Sequence, residues 1–323
     1  MQDSDLQKLL DDATSHILQG KGLVAILSLS DVTLRLIRAF RDLGLIGAVS
    51  AIYAVTPDGT STPAVEGVRV LALPELEHDH ATAIIVAADA EKEDVILSAL
   101  PYIKDTPRLL VAGYAHYSFR DPLFDKIRGE LIAPSLANGY PNSLIHIYQC
   151  LRNAARLGLS GAVVELGTYK GGTTLFIADV VERLGTGWPI FTFDSFSGFP
   201  PRRTPLDMYD EPDCVFTNID AVRSLFAGRN VEIVTGDITL TCQRLVERDL
   251  VLTFFDTDNY SPAHAALAIV RERTVLNGAI VFDHFTGTDR FRYTLGERLA
   301  AVSLLDDERY FNLHGTGVFI RQR

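Results

Sequence analysis

Gly161-Ala-Val-Val-Glu-Leu-Gly-Thr-Tyr-Lys-Gly-Gly-Thr-Thr174 sets the reading of the whole chain. An apolar run passes through Glu165 and Gly167 and turns at Gly171-Gly172. Leu175-Phe-Ile-Ala-Asp-Val-Val-Glu-Arg-Leu184 follows with helical spacing, so the stretch predicts strand, glycine turn and helix. Glycine lets a backbone approach a ligand with no Cβ in the way. The helix start beyond it offers unpaired N–H groups to a carboxylate or phosphate.

Downstream, Ile190-Phe-Thr-Phe-Asp-Ser-Phe-Ser-Gly-Phe199 reads as a second strand ending in Asp194. In a doubly wound sheet an acid at that tip can accept hydrogen bonds from ribose hydroxyls. A dinucleotide and another adenosine-containing cofactor both fit at this point. Further strands are expected at Val231–Thr235, Val251–Asp256, Ala279–Asp283, Tyr310–Leu313 and Gly317–Arg321, the last two joined by a turn at His314-Gly-Thr316. With helices between them, the fold class is α/β.

Upstream, Asp3 to Gln19 carries Leu6, Leu9, Leu10, Ala13 and Ile17 on one helical face. Strands are expected near Leu23–Leu29, Ala48–Val55, Val68–Leu71, Ala83–Ala88 and Arg108–Ala112, with Asp31 capping a helix to Gly44 and a second helix over Glu91–Leu100. This predicts a smaller Rossmann-like domain over residues 1–120 and a second domain over 121–323. The first domain's Ser28-Leu-Ser-Asp31 turn has no glycine, so a structural, dimerising or lid role is expected there rather than nucleotide binding. Helices are also expected at Leu123–Gly129 and Pro141–Arg156, where Tyr140 and Tyr148 either stack on a cofactor or pack between domains.

Three segments, Val164-Glu-Leu-Gly-Thr-Tyr-Lys-Gly-Gly-Thr173, Phe193-Asp-Ser-Phe-Ser-Gly-Phe-Pro200 and Phe255-Asp-Thr-Asp-Asn-Tyr260, resemble the macrocin O-methyltransferase family of class I S-adenosylmethionine-dependent methyltransferases. The likeness runs from about Pro134 to the C-terminus and implies a seven-stranded Rossmann-like sheet. It also implies methyl transfer to a hydroxyl of a small molecule, a sugar of a secondary metabolite. Cofactor contact is then expected from Glu165, Gly167, Thr168, Tyr169, Gly171 and Thr173, from Asp194 and Ser195, and from Asp237 and Asp256. Asp237 has a second reading, as the cap of a short helix.

Asp256 and Asp258 follow the fourth strand, and Asp283 and His284 follow the fifth. Strand spacing of about 4.8 Å lets such tips converge on one pocket. The resemblance implies magnesium there, with Asp256, Asp283 and His284 as ligands. Imidazole stands where the family has an acid or amide, and it prefers softer metals. His284 is therefore also a candidate base with a near-neutral pKa, working with Asp256. Arg290, Arg292 and Tyr260 are candidate substrate contacts, the arginines having Glu297 as an alternative partner. The proline-rich insert Pro200–Cys214 is expected to be a mobile lid.

Lys and Arg number 30 against 41 Asp and Glu, a formal charge of −11, which disfavours nucleic acid and anionic membrane surfaces as partners. Three spaced cysteines and a polar N-terminus lead to the expectation of a cytoplasmic protein with no membrane partner, and a homo-oligomer is compatible with the chain. A nicotinamide-dependent oxidoreductase lacks its full glycine fingerprint at Gly171-Gly172. A non-enzymatic nucleotide-binding protein would not need the clustered strand-edge acids.

Overall fold

A computed structural model describes residues 3–54, 64–89, 91–113, 119, 121–137, 139, 142–286 and 294–323. The chain forms two compact units, Met1–Ser118 and Phe119–Arg323.

In the first unit, helix α1 (Asp3–Leu18) precedes strand β1 (Val24–Leu27), whose four residues are all buried. Helix α2 (Asp31–Asp42), strands β2 (Val49–Ala54), β3 (Ala64–Val65), β4 (Val68–Ala72) and β5 (Ala83–Val86), helix α3 (Lys92–Ala99) and strand β6 (Arg108–Leu110) follow. The sheet runs β3-β4-β2-β1-β5-β6, parallel except for the β3–β4 pair. Leu9 and Ala13 of α1 bury against this sheet with Leu36, Ile37 and Phe40 of α2, as their helical spacing requires. The cap of α2 is Ser30, not Asp31: its hydroxyl accepts from Thr33 N and donates to the Ala87 carbonyl. Only the residue before the first helical turn can reach the second and third amides, and Asp31 already lies in that turn.

The second unit contains helices α4 (Pro122–Glu130) and α5 (Ser143–Arg156), then β7 (Ala162–Leu166), α6 (Gly172–Leu184), β8 (Ile190–Asp194), α7 (Ile219–Leu225) and β9 (Val231–Thr235). After these come α8 (Ile238–Thr241), β10 (Leu250–Phe255), α9 (Tyr260–Arg273), β11 (Thr274–Phe282), α10 (Leu295–Ala301), β12 (Tyr310–Asn312) and β13 (Val318–Arg321). The sheet order is β12-β13-β11-β10-β7-β8-β9. Five strands are parallel, and β13 inserts antiparallel between β11 and β12. β11 starts at Thr274, earlier than its apolar run, because α9 feeds into it directly and the register slips between Leu250 and Leu252.

Register is what builds the site. Leu166 pairs with Phe193 and Phe255, and Phe255 pairs with Phe282. Gly167, Asp194, Asp256 and Asp283 each follow one of these residues, so all four stand level at the carboxyl edge. Gly167 has φ +106, and a Cβ there would overlap the Asp256 carbonyl oxygen. The backbone of the first motif therefore reaches the β10 tip only with glycine.

Asp121 fastens the entry to this unit. One oxygen accepts from Leu123 N, Phe124 N and the Tyr148 hydroxyl at 3.0, 3.2 and 2.7 Å, and the other pairs with Arg152. Tyr148 itself is buried in this unit's own core, against Phe119 and Phe124, rather than between domains, while Tyr140 lies outside the described residues. Burial opposes the charge on Asp121, but the Tyr148 hydroxyl, the two amides and Arg152 hold its pKa below the ordinary value. A depressed folded pKa stabilises above the unfolded value of about 3.9 and is lost as pH falls through the folded one. Asp121→Asn keeps a capping side chain without the charge. Its thermal midpoint is expected to lie below wild type at neutral pH and to converge on it as pH falls below the ordinary aspartate value of about 3.9. Parallel curves over that range, followed by circular dichroism, would count against the charge.

Candidate active site

A cavity of about 680 Å³ opens at the carboxyl edge of the seven-stranded sheet. Gly167, Thr168, Tyr169 and Thr173 of the first motif line it, with Asp194 and Ser195 after β8 and Asp237 after β9. Asp256, Asp258, Asp283 and His284 line its far side. These strand tips were expected to converge, and they do. Arg290 and Arg292 lie outside the described residues.

Asp194 is held at the corner between β7 and β8. Its carboxylate accepts from Tyr169 N and from Phe196 N, each at 2.7 Å. Tyr169 and Phe196 have φ of +49° and +56°, so both amides are turned towards the acid by left-handed backbone. Burial raises the pKa of Asp194 against the opposing amide hydrogen bonds. Asp237 caps α8 by accepting from Thr239 N and Oγ1, and it also pairs with Arg203 at 2.7 Å. The cap reading is thus the observed one, at a residue that still faces the cavity. Ser195 turns its hydroxyl onto the Gly198 carbonyl, and Thr173 shares a 2.6 Å hydrogen bond with Ser135.

Three expected contacts are displaced from the cavity wall. Glu165 is fully buried, and its carboxylate is engaged by the hydroxyls of Thr174 and Thr192. Burial pushes its pKa up to about 8 against those hydrogen bonds, so at neutral pH it is largely a neutral acid, unsuited to facing an ammonium group. Its side chain points off the strand face, while the ligand-facing positions are those past the strand end. Gly171 caps α6 at φ +83, where a Cβ would stand 3.0 Å from Phe226 and 3.2 Å from Val222. Tyr260 stacks on His264, 5.1 Å between ring centres, one turn along α9.

The far side of the cavity is a cluster of acids around one imidazole. His284 Nε2 lies 3.0 Å from Asp258, 3.4 Å from Asp283 and 3.8 Å from Asp256 carboxylate oxygens. Burial alone would lower the imidazole pKa, but the Asp258 hydrogen bond and the charges of Glu297, Asp258 and Asp283 lift it to about 9. A base of near-neutral pKa is therefore not what these side chains make: at neutral pH the imidazole is charged. Burial and the charges of Asp283 and Asp258 raise Asp256 well above the usual carboxylate range.

The donor set suits a divalent ion. Asp256, Asp258 and His284 each offer one ligand atom within 4.8 Å of the others. Asp283, expected as a ligand, already accepts at Oδ1 from Gly139 N at 2.9 Å and from the Ser143 hydroxyl at 2.5 Å. The closest set among the described residues thus exchanges Asp283 for Asp258. With the imidazole proton displaced on binding, two carboxylates and an imidazole nitrogen fit a first-row transition ion better than magnesium, which prefers oxygen throughout.

Two features were invisible to motif reading. Glu297 does not lie open to arginine partners; it is fully buried, and its carboxylate accepts from Thr257, Asp258 and His284. The insert after β8 is not a loose lid along its whole length. Asp207 accepts from Arg203 N, Thr204 N and both Ser261 N and Oγ, and Asn259 exchanges two hydrogen bonds with the Tyr209 backbone. Residues 203–209 are stitched to the start of α9, and Tyr209 forms part of the cavity wall.

A parallel five-strand core with one antiparallel strand inserted next to the edge, and an acid at the second strand tip, defines a class I methyltransferase. The family model for macrocin O-methyltransferase matches residues 139–321, more than half of the chain. The chain belongs to that family and is an S-adenosylmethionine-dependent O-methyltransferase with a small-molecule substrate. A comparison with curated proteins found no match. Among solved structures, the O-methyltransferase NovP is similar at 17% identity over 55% of this chain and 78% of its own, with a TM-score of 0.47. The calicheamicin methyltransferase CalS11 is 20% identical over 55% of this chain and 77% of its own, with a TM-score of 0.45. Among the described residues no helix is long and apolar enough to cross a membrane.

Proposed function

We propose that this enzyme methylates a hydroxyl on the sugar of a secondary metabolite, with the reacting hydroxyl placed beside Asp256, Asp258 and His284. The family match supports the sugar acceptor. The observation that carries the site is the opening of the Asp194 corner and the His284 cluster into one cavity. The donor occupies the first-motif side, its ribose hydroxyls on Asp194. Bound S-adenosylmethionine supplies an electrophilic methyl carbon, on which the acceptor oxygen displaces sulfur in line. The protein holds the two reactants together, and the carboxylates of the Asp256–Asp258 cluster take up the hydroxyl proton. Asp256, Asp258 and His284 would hold a divalent ion, which lowers the pKa of a nearby hydroxyl when bound. Phe199, Tyr209 and Pro262 offer apolar surface to the acceptor's ring faces.

Methyl-labelled S-adenosylmethionine, offered with glycosides and their matching aglycones, tests the reading. Label is expected on a sugar oxygen and absent from the aglycones. Labelling of the aglycone or of an amine would overturn the sugar-hydroxyl assignment.

A further inference from the structure

We infer that Glu297 is a positioning residue for methyl transfer, its carboxylate locking together the two loops that carry Asp256, Asp258 and His284. The inference rests on the reading of that cluster as the reacting centre. Oε2 of Glu297 accepts from Thr257 N at 2.6 Å, Thr257 Oγ1 at 2.9 Å and Asp258 N at 3.1 Å. Oε1 accepts from His284 N at 3.1 Å. Thr257 and Asp258 follow β10, and His284 follows β11. One side chain therefore joins the ends of two neighbouring strands just where their backbones leave the sheet.

The chemistry suits a carboxylate and nothing else of that size. An ionised carboxylate only accepts, and the three backbone partners here only donate. Buried amides without an acceptor are costly, so a lost Glu297 would let the loops move to find other partners. Asp258 has φ +58, a left-handed conformation uncommon outside glycine, which sets the direction its side chain takes from the loop. Glu297 reaches the loops because Gly296 lets α10 press close: a Cβ on Gly296 would overlap the Leu206 carbonyl and stand 2.7 Å from Tyr260 N. On the first-motif side of the cavity, Asp194 is held by Tyr169 N and Phe196 N instead.

Glu297→Gln is nearly isosteric and tests this. If the amide oxygen keeps Thr257 and Asp258, its NH2 faces His284 N–H, donor against donor. Amide exchange at His284, Thr257 or Asp258 is expected to rise by more than about tenfold, with exchange at Leu252 inside β10 unchanged. kcat is expected to fall about 10²-fold, the scale of a misplaced reacting group, while S-adenosylhomocysteine affinity stays within about twofold of wild type. Unchanged exchange at all three amides, or an unchanged kcat, overturns the inference. So does an equal loss of cofactor affinity, which would show general damage. If the glutamine variant does not fold, Glu297→Asp, which withdraws the carboxylate by one methylene, is judged by the same three measurements. Exchange needs no acceptor, so a wild type inactive on every glycoside would sink the proposed substrate and leave the exchange result to decide the clamp.

Discussion

Asp256→Asn is expected to cut methyl transfer by about 10²–10⁴ while S-adenosylhomocysteine binding falls far less. The substitution keeps the shape of the side chain and removes the charge that faces His284 Nε2 across 3.8 Å. A divalent ion at Asp256, Asp258 and His284 would lose one of two carboxylate ligands, and metal affinity would fall with it. His284→Ala removes the single nitrogen donor and should be about as damaging. Exhaustive chelation should abolish turnover, and manganese should restore it more fully than magnesium, because an imidazole nitrogen is a poor match for magnesium. Full activity after chelation would sink the ion. A fully active His284→Ala enzyme would remove the imidazole from the chemistry.

Asp194→Ala should abolish measurable donor binding. A carboxylate accepting two ribose hydroxyls gives charge-assisted hydrogen bonds of about 1.5–3 kcal/mol each, which together correspond to about 10²–10⁴ in Kd. The alanine also strands Tyr169 N and Phe196 N, which donate to the Asp194 carboxylate in this corner. The loss therefore has a direct part and a part from loosening the turn. Asp194→Asn separates them, since an amide oxygen can still serve one of the two backbone donors. Calorimetry with S-adenosylhomocysteine reads both variants. An unchanged Kd in folded Asp194→Ala protein would overturn the donor assignment.

The sequence made the strand tips legible because period and chemistry coincide there. An apolar run that ends in Asp194, Asp256 or Asp283 marks both the end of a buried strand and the start of a polar edge. Glu165 misled because it is an acid within such a run rather than past its end, so it turns into the core instead of the cavity. Glu297 and Ser143 carry no motif at all. Their partners are backbone amides and an aspartate that lie 40 and 140 residues away along the chain, and no local spacing encodes such a meeting. The insert after β8 looked loose by composition, yet Asp207 and Asn259 fasten it through hydrogen bonds that composition does not contain.

The tie between Asp283 and the start of α5 also bears on how the site comes into being during synthesis. Tyr169 and Asp194, on the donor side, are separated by 25 residues, whereas Asp283 meets Ser143 and Gly139 across 140 and 144. Closing a longer loop costs more entropy, and topologies with distant contacts assemble slowly. A growing chain can thus shape the donor corner while Asp283, His284 and Glu297 are still unmade. The acceptor side is the last part of the machine to be delivered.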